Sequence, residues 1–219
     1  MSDKFELPYA IFWDWDGTLV DSYSFLNDAH NHTLRTLGFE PFKGDEYKEY
    51  FGKPRETLYP AIYKDKCEQA KDVFQSYVTE NSHKILPLKG GKDVLSLLHK
   101  GGVKMGIVSN KKASFIEKEV AHLEWDHYFS IIVGAGDAQA DKPSSAPLLL
   151  ALKRSGIDHK EKSVWYIGDT ENDLACASEA GCKSLFLSGD VRTQELIEYY
   201  DPLFSFENHS QLKEFLVAI

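Results

Sequence analysis

Two aspartates, Asp14 and Asp16, stand one residue apart at the end of the apolar run 11–13, and a glycine follows them. Residues two apart in a β-strand point to the same face, so both carboxylates would project together where the strand ends and Gly17 lets the chain turn away. Neighbouring carboxylates repel each other unless a cation or a shared proton compensates their charge. Oxygen ligands of this kind suit Mg²⁺, which binds a few carboxylates, several waters and substrate phosphate. The segment therefore predicts a catalytic strand end that uses magnesium.

Polar residues also follow other apolar runs. Ser109 and Asn110 come directly after the run 104–108 and could donate hydrogen bonds to a phosphate oxygen. A Ser-Asn pair after a strand is also typical of a turn or a helix N-cap. Lys142 precedes Pro143, and its ammonium could neutralise phosphate oxygens and the crowded carboxylates, although a lone lysine is usually solvated. Because open α/β sheets bind ligands at the carboxyl ends of their strands, these residues are candidates for phosphate binding.

A further apolar run, 164–167, leads into Gly168 and Asp169, and Asp173 follows four residues later. Asp169 would emerge at the edge of the sheet. Asp173, one turn into the next helix, would lie close enough to orient a metal-bound water or Lys142. The alternative is that these acids only cap the helix and favour its N-terminus. Capping would explain one acid well and two acids less well.

Short apolar runs alternate with amphipathic stretches along the chain, which is the pattern of a parallel sheet covered by helices. The predicted strands are 9–13, 104–108, 131–133, 164–167 and 184–187. The predicted helices are 92–100, 113–123, 146–155, 173–180 and 193–199, several of which end at glycines suited to C-caps. The sequence therefore predicts an α/β fold with a Rossmann-like core, in which helices flank a parallel sheet.

The alternation is interrupted from about residue 24 to residue 84, where helical patterns occur without a convincing strand. We expect a core domain of residues 1–21 and 88–219 with an inserted α-helical cap domain of residues 22–87. Because the insertion leaves the sheet directly after the Asp-rich strand end, we expect it to act as a lid, with hinges at 20–24 and 84–89. The alternative is an independent helical domain.

Composition restricts the classes of partner. The chain has 219 residues, of which 42% are hydrophobic, enough for one large domain or for one domain with an insertion. A net charge of −9 argues against a general nucleic-acid binder, and no apolar segment is long enough to cross a bilayer. Cys67, Cys176 and Cys182 lack the paired spacing of zinc sites and are interpreted as reduced thiols. We therefore expect a cytoplasmic protein with no nucleic-acid or membrane partner.

The four strand ends resemble, in order and in spacing, the four motifs of the haloacid dehalogenase superfamily. The matching segments are Asp14-Trp15-Asp16-Gly17-Thr18, Ser109-Asn110, Lys142-Pro143 and Gly168-Asp169-Thr170-Glu171-Asn172-Asp173. The residues around these motifs are similar to the phosphoglycolate phosphatase branch, over most of the core and only loosely over the cap. The resemblance implies an Mg²⁺-dependent phosphomonoester hydrolase that acts on a small-molecule phosphate ester through an aspartyl-phosphate intermediate.

The resemblance also implies a role for each motif residue. Asp14 would be the nucleophile, and Asp16 would be the general acid and base that protonates the leaving alkoxide and then activates water. Mg²⁺ would be held by Asp14, the backbone carbonyl of Asp16 and Asp169, with Asp173 as a supporting acid. The phosphoryl oxygens would be held by the side chains of Ser109 and Lys142 and the backbone amides of Trp15 and Asn110.

The sequence departs from the family pattern at several positions. Trp15 replaces a smaller residue and is predicted to pack rather than to narrow the site. Ser145 stands where the family often has proline, which should loosen the start of the following helix. In the cap, Arg55 could grip a substrate carboxylate or second phosphate, with Lys111 as a weaker candidate for that task. The alternative for both is a solvated surface charge.

Other chemistries are left open by the motifs. A dehalogenase commonly lacks an acid at the position of Asp16, and a phosphonatase would need a Schiff-base lysine in the cap, for which Lys53 is available. A sugar phosphomutase similar to β-phosphoglucomutase is a closer rival because the Arg55 segment resembles mutase caps, although Thr18 and Asp169 fit the phosphatase pattern better. From a different class, a non-catalytic phosphate-sensing or interaction module, such as a receiver-like domain, would lack the helical insertion.

Overall fold

The chain forms two compact units in the computed structural model, which describes residues 5–50, 55–187 and 193–219. One unit comprises Met1–Val20 and Pro87–Ile219, and the other comprises Asp21–Leu86. The first alternates strands with helices, and the second is mainly helical. Within the described ranges, no helix combines the length and the apolar character needed to span a bilayer.

The described strands form two sheets. In chain order they are β1 (Ala10–Trp13), β2 (Val20–Asp21), β3 (Leu86–Pro87), β4 (Lys104–Val108), β5 (Ile132–Val133), β6 (Val164–Gly168), β7 (Lys183–Leu187) and β8 (Phe204–Phe206). β2 and β3 pair with each other where the chain passes between its two units. The other six form a parallel sheet in the order β5-β4-β1-β6-β7-β8. The predicted α/β fold with a parallel sheet is confirmed.

The central strands are buried on both faces, which explains why their sequences are apolar runs rather than alternating patterns. Every residue of β1 and of β6 is buried. β1 and β4 lie close together at Gly106, where a Cβ atom would stand 2.7 Å from the ring of Phe12. The strand that carries the Asp-rich segment is therefore fixed in the middle of a rigid sheet.

The described helices surround this sheet or build the second unit. They are α1 (Ser22–Thr36), α2 (Arg55–Tyr63), α3 (Cys67–Asn81), α4 (Gly91–Lys100), α5 (Ala113–His122), α6 (Ala146–Arg154), α7 (Glu171–Glu179), α8 (Thr193–Tyr200) and α9 (His209–Ala218). The helices predicted for the α/β unit are all present, and their ends differ from the predicted ends by no more than two residues.

Neither β8 nor α9 follows from the apolar pattern of the sequence. β8 is a short strand, Phe-Ser-Phe, at the edge of the sheet, and its residues are only partly buried or exposed. α9 begins after Asn208, whose side chain accepts hydrogen bonds from the N–H groups of Ser210 and Gln211. This asparagine cap is a recognisable start signal for a helix, but the sequence analysis did not use it.

The second unit has an aromatic core. His30 of α1 packs against the rings of Tyr47 and Phe74 at centroid distances of 5.0 and 4.5 Å. Its Nδ1 atom lies 2.6 Å from the hydroxyl of Tyr63. Between residues 24 and 84 the described residues contain helices and turns but no strand, as the sequence predicts.

Candidate active site

The site lies at the carboxyl edge of the parallel sheet. Trp13 at the end of β1 is level with Ile107 of β4 and with Ile167 of β6. The polar residues that follow these three neighbouring strands therefore emerge side by side, which is the arrangement expected for a ligand site in an open α/β sheet.

Lys142 is the centre of a buried cluster. Its Nζ atom donates hydrogen bonds to Oδ1 of Asp14 at 2.6 Å, to Oδ1 of Asp173 at 2.6 Å and to the hydroxyl of Tyr166 at 3.0 Å. The hydroxyl of Tyr166 in turn donates to the backbone carbonyl of Val108 at 2.8 Å. The side chain of Lys142 is 3% exposed, so its position is determined by these contacts rather than by solvent.

Asn110 holds the main chain of Lys142. Its side-chain amide donates to the carbonyl of Lys142, its Oδ1 atom accepts from the N–H group of Lys142, and both distances are 2.9 Å. The side chain of Asn110 is therefore engaged with Lys142 rather than free to donate to a phosphate. Ser109 is buried after β4, and its Oγ atom accepts a long hydrogen bond of 3.4 Å from the N–H group of Lys111.

Asp169 follows β6 and faces the turn after β1. Its Oδ1 atom accepts a hydrogen bond from Oγ1 of Thr18 at 2.8 Å. Gly17 has a φ of +83°, and a Cβ atom at that position would collide with Oδ2 of Asp169. Glycine is therefore required here both for the left-handed turn and for the close approach of Asp169.

The cluster carries more negative than positive charge. Burial raises the pKa of Asp14 to about 7, although the ammonium of Lys142 opposes this shift. Burial also raises the pKa of Asp169 well above its usual range, and the neighbouring Asp14 and Asp173 add to the effect. Burial alone would lower the pKa of Lys142, but Asp14 and Asp173 outweigh it and raise that pKa. A cation bound here would relieve the unfavourable ionisation of Asp14 and Asp169.

The residues present fit a divalent metal ion. Asp14, Asp169 and Asp173 each offer one oxygen, and these atoms lie within 4.8 Å of one another. In the described part of the chain, Oδ2 of Asp14 and Oδ2 of Asp169 make no hydrogen bond. The oxygens of Asp173, in contrast, accept from Lys142 and twice from Thr170, and Oδ1 lies 3.1 Å from the hydroxyl oxygen of Tyr166. The donor set therefore suits a hard cation held mainly by Asp14 and Asp169.

Asp173 both caps a helix and supports the site. Its Oδ2 atom accepts from the N–H group and from Oγ1 of Thr170, which forms a capping box at the start of α7. Its Oδ1 atom accepts from Lys142. A Cβ atom at Gly168 would overlap the carboxyl group of Asp173, so glycine is needed for this arrangement. Helix capping and support of the site, the two roles that the sequence offers for Asp173, are therefore compatible.

Asp16 belongs to a second group of charged residues. Its Oδ1 atom accepts from Nζ of Lys111 at 3.0 Å, and the same Nζ atom lies 2.7 and 2.8 Å from the two oxygens of Glu119. Glu119, in α5, is fully buried and accepts a hydrogen bond from Nε1 of Trp15 at 2.6 Å. Lys111 is thus paired with two carboxylates in the α/β unit, and its role as a grip for the far end of a substrate stays a prediction.

The indole of Trp15 is packed in the interior, as predicted. It is fully buried and meets the rings of Trp125 and Phe129 edge-on at centroid distances of 6.1 and 6.4 Å. Tyr166, Thr18 and Glu119 also contribute contacts that the sequence does not predict. Thr18 belongs to the first motif, but its hydrogen bond to Asp169 was not expected, and the roles of Tyr166 and Glu119 depend on contacts distant in sequence.

The remaining candidates are placed as follows. Lys53 and the side chain of Arg55 lie outside the described residues, so their predicted roles stay predictions. Ser145 precedes α6 as its N-cap, and its N–H group donates to a carboxylate oxygen of Glu179. The start of α6 is therefore held by a side chain from α7 where the family often has proline.

The chain is similar to known proteins in sequence and in fold. The model of the haloacid dehalogenase-like hydrolase family matches residues 11–187. A phosphoglycolate phosphatase from Aquifex aeolicus is 33% identical over 86% of this chain and 89% of that protein. A pyrophosphatase, PpaX, from Bacillus velezensis is 25% identical over 93% of this chain and 94% of that protein. A solved haloacid dehalogenase-like hydrolase from Streptococcus pneumoniae has the same fold, with a TM-score of 0.82 and 24% identity over 95% of this chain and 98% of that chain.

Proposed function

This chain belongs to the haloacid dehalogenase-like hydrolase family and is a phosphatase, and we propose that it hydrolyses small phosphate monoesters through a covalent phosphoryl group on Asp14. The observation that carries the proposal is the buried contact of Asp14 with Lys142, beside Asp169. This arrangement places a nucleophilic carboxylate next to a positive charge and next to oxygens that can bind a metal ion, and both cations would attract an anionic substrate.

The reaction has two steps that share one acid and base. In the first, a carboxylate oxygen of Asp14 bonds to phosphorus, the bond from phosphorus to the ester oxygen breaks, and Asp16 gives its proton to that oxygen. In the second, the ionised Asp16 takes a proton from water, the water oxygen bonds to phosphorus, and the bond to Asp14 breaks. Inorganic phosphate then leaves, and both aspartates return to their starting states.

Several groups hold the transferred phosphoryl group in this proposal. Lys142 supplies positive charge beside Asp14, and Ser109 supplies a hydroxyl at the end of β4. The backbone amides of Trp15 and Asn110 complete the set of donors. Phosphoryl transfer depends chiefly on positioning and on charge stabilisation, so fixed donors of this kind contribute directly to the rate.

The metal in this proposal is Mg²⁺. Asp14, Asp169 and the backbone carbonyl of Asp16 would hold it, with Asp173 supporting through Lys142. The ion would supply positive charge that lowers the repulsion between the Asp14 carboxylate and the phosphate anion. Burial raises the pKa of Asp14 and of Asp169, and this supports the assignment because a cation at these oxygens would offset the cost of ionising them in a buried position.

We assign the substrate to small phosphorylated metabolites of the phosphoglycolate type, which the name of the relative from Aquifex aeolicus supports. The helical residues 22–87 would form the cap, and Arg55 would grip a carboxylate at the end of the substrate away from the phosphate. A cytoplasmic location agrees with the three free cysteines, Cys67, Cys176 and Cys182.

The experiment that tests this function measures release of phosphate from p-nitrophenyl phosphate and from 2-phosphoglycolate, with Mg²⁺ and with EDTA. We expect turnover of both substrates with Mg²⁺, and we expect Asp14→Asn to abolish it because an amide is a poor nucleophile. Asp158→Asn, at an exposed position of the same unit, is the matched control and should retain full activity. Turnover by Asp14→Asn, or none by the unaltered protein on either ester, would overturn the proposal.

The role of Arg55 is tested by Arg55→Ala. We expect kcat/KM for 2-phosphoglycolate to fall by about 10-fold to 100-fold, because a charge-assisted contact with the substrate carboxylate is lost. The value for p-nitrophenyl phosphate, which has no carboxylate, should change little. Arg35→Ala, in helix α1, is the control. Equal losses on both substrates would remove Arg55 from this role.

A further inference from the structure

Asp16, Lys111, Glu119 and Trp15 form a closed ring of contacts. Lys111 joins Oδ1 of Asp16 at 3.0 Å to both oxygens of Glu119, and Glu119 accepts from Nε1 of Trp15 at 2.6 Å. Trp15 precedes Asp16 in the chain, so the contacts return to the segment from which they start. The ring therefore connects the proposed acid and base to a helix carboxylate 103 residues away, counted from Asp16 to Glu119.

The far end of the ring is rigid. Glu119 and Trp15 are both fully buried, and Trp15 is further fixed by its edge-on contact with Trp125. The exposed fraction then increases along the ring, from 0% for Glu119 to 12% for Lys111 and 25% for Asp16. The ring therefore leads from the core towards an acid that solvent and substrate can reach.

Only one oxygen of Asp16 is held. Lys111 takes Oδ1, and in the described part of the chain Oδ2 makes no hydrogen bond. Lys111 is in turn fixed by Glu119, whose two carboxylate oxygens lie 2.7 and 2.8 Å from its Nζ atom. Oδ2 is thus the oxygen left to exchange a proton with the substrate.

Stabilisation of the fold does not by itself explain this ring of contacts. A buried ion pair is weak evidence for stability, because its desolvation cancels much of the attraction and well-packed apolar residues often replace it without loss. What apolar residues cannot do is fix the orientation of a carboxylate at the edge of the site. Precise placement of an acid matters for rate, because proton transfer requires hydrogen-bond distance to the reacting oxygen.

We infer that Lys111 and Glu119 are positioning residues that hold Asp16 ready to protonate the leaving group. This inference rests on the proposed function. In the first step, the O–H bond at Oδ2 of Asp16 breaks as the proton moves to the ester oxygen, and that oxygen leaves phosphorus as an alcohol while the bond from Asp14 to phosphorus forms. Lys111 remains protonated throughout and supplies position, not the proton.

The test compares two leaving groups. p-Nitrophenolate leaves as a stable anion and needs little protonation, whereas the alkoxide of glycerol 3-phosphate needs a proton as it leaves. In Lys111→Met, we expect kcat/KM for glycerol 3-phosphate, which reports the step in which the alcohol leaves, to fall by about 10-fold to 100-fold, and kcat/KM for p-nitrophenyl phosphate to fall several-fold less. Lys112→Met, at the exposed neighbouring residue, is the matched control and should alter neither value.

A second variant guards against misfolding, since Lys111→Met leaves Glu119 buried without its partner. Lys111→Met combined with Glu119→Gln removes both charges but keeps an acceptor for Nε1 of Trp15, so it should fold, yet it should show the same selective loss. In an Asp16→Asn background, the same pair of changes should cause no further selective loss, because the acid that it positions is absent.

The outcomes separate this inference from the proposed function. Equal losses on both esters, no loss, or a further selective loss in the Asp16→Asn background would overturn the inference and leave the phosphatase intact. Absence of turnover by the unaltered protein on both p-nitrophenyl phosphate and 2-phosphoglycolate would instead overturn the proposed function.

Discussion

Two lysines in the α/β unit make the same kind of contact with different consequences. Lys142 links Asp14 at the end of β1 to Asp173 in α7, and Lys111 links Asp16 to Glu119 in α5. Each lysine therefore connects one aspartate of the first motif to one carboxylate on a helix. The first cluster also includes Asp169, which has no lysine of its own among the described contacts.

The difference lies in charge and exposure. The first cluster has three carboxylates and one lysine, which contacts two of them in an almost fully buried setting, and the pKa of Asp14 rises to about 7 because of that burial. Two carboxylates share Lys111, and Asp16 is 25% exposed. The first cluster thus lacks positive charge and is suited to a metal and an anionic substrate. The second is suited to holding one acid in place, which is a separate task.

The largest expected effect is that of Lys142→Met. We expect kcat/KM for p-nitrophenyl phosphate to fall by about 1,000-fold or more, and the free energy of unfolding to fall by about 3–5 kcal/mol, because buried carboxylates lose their partner. Steady-state kinetics and urea denaturation measure the two quantities. Lys111→Met should lower kcat/KM for this ester clearly less. Similar losses for the two lysine variants would erase the difference between the clusters.

The second prediction concerns pH and metal. Without metal, Asp14 has a pKa of about 7 in the folded protein against 3.8 for an ordinary aspartate, so the folded state binds more protons between these values. Stability should therefore fall as pH rises through this window and level off above it. Because a proton competes with the metal for the same oxygens, Mg²⁺ should raise Tm more at about pH 7.5 than at about pH 5.

Thermal unfolding in EDTA and in Mg²⁺ checks this prediction. Asp14→Asn should reduce both the pH dependence and the gain from Mg²⁺, whereas Lys111→Met should retain them, since it belongs to the other cluster. A Tm that rises with pH in EDTA, or that does not change with Mg²⁺ at either pH value, would contradict the assignment of excess negative charge to the Asp14 cluster.

The smallest expected effect is that of Trp15→Phe. This change removes the hydrogen bond from Nε1 to buried Glu119 and should cost about 1–3 kcal/mol of unfolding free energy. We expect a modest selective loss of kcat/KM on glycerol 3-phosphate, smaller than that of Lys111→Met. Trp125→Phe, which leaves the hydrogen bond in place, serves as the packing control and should lower stability without the selective loss.

The sequence predicts the strand ends well because each motif is contiguous. Asp14 and Asp16 follow an apolar strand, and Gly168 and Asp169 follow another, so pattern alone places them at the same edge of a parallel sheet. The side-chain partners of the site residues cannot be predicted in this way. Nothing local distinguishes Glu119 from a surface acid on α5, and its hydrogen-bond partner Trp15 lies 104 residues away in the chain. Lys111, a candidate for contact with the substrate, is likewise paired with Asp16 from a distant part of the chain.

The most direct test of the account is chemical trapping of the phosphorylated protein. The enzyme is mixed with an excess of substrate and Mg²⁺, quenched, and treated with borohydride, which reduces an aspartyl phosphate to homoserine. Peptide mass spectrometry should then find homoserine at position 14 and nowhere else, and Asp14→Asn should give none. Homoserine at another aspartate, or steady turnover with no trapped product, would contradict a covalent phosphoryl group on Asp14.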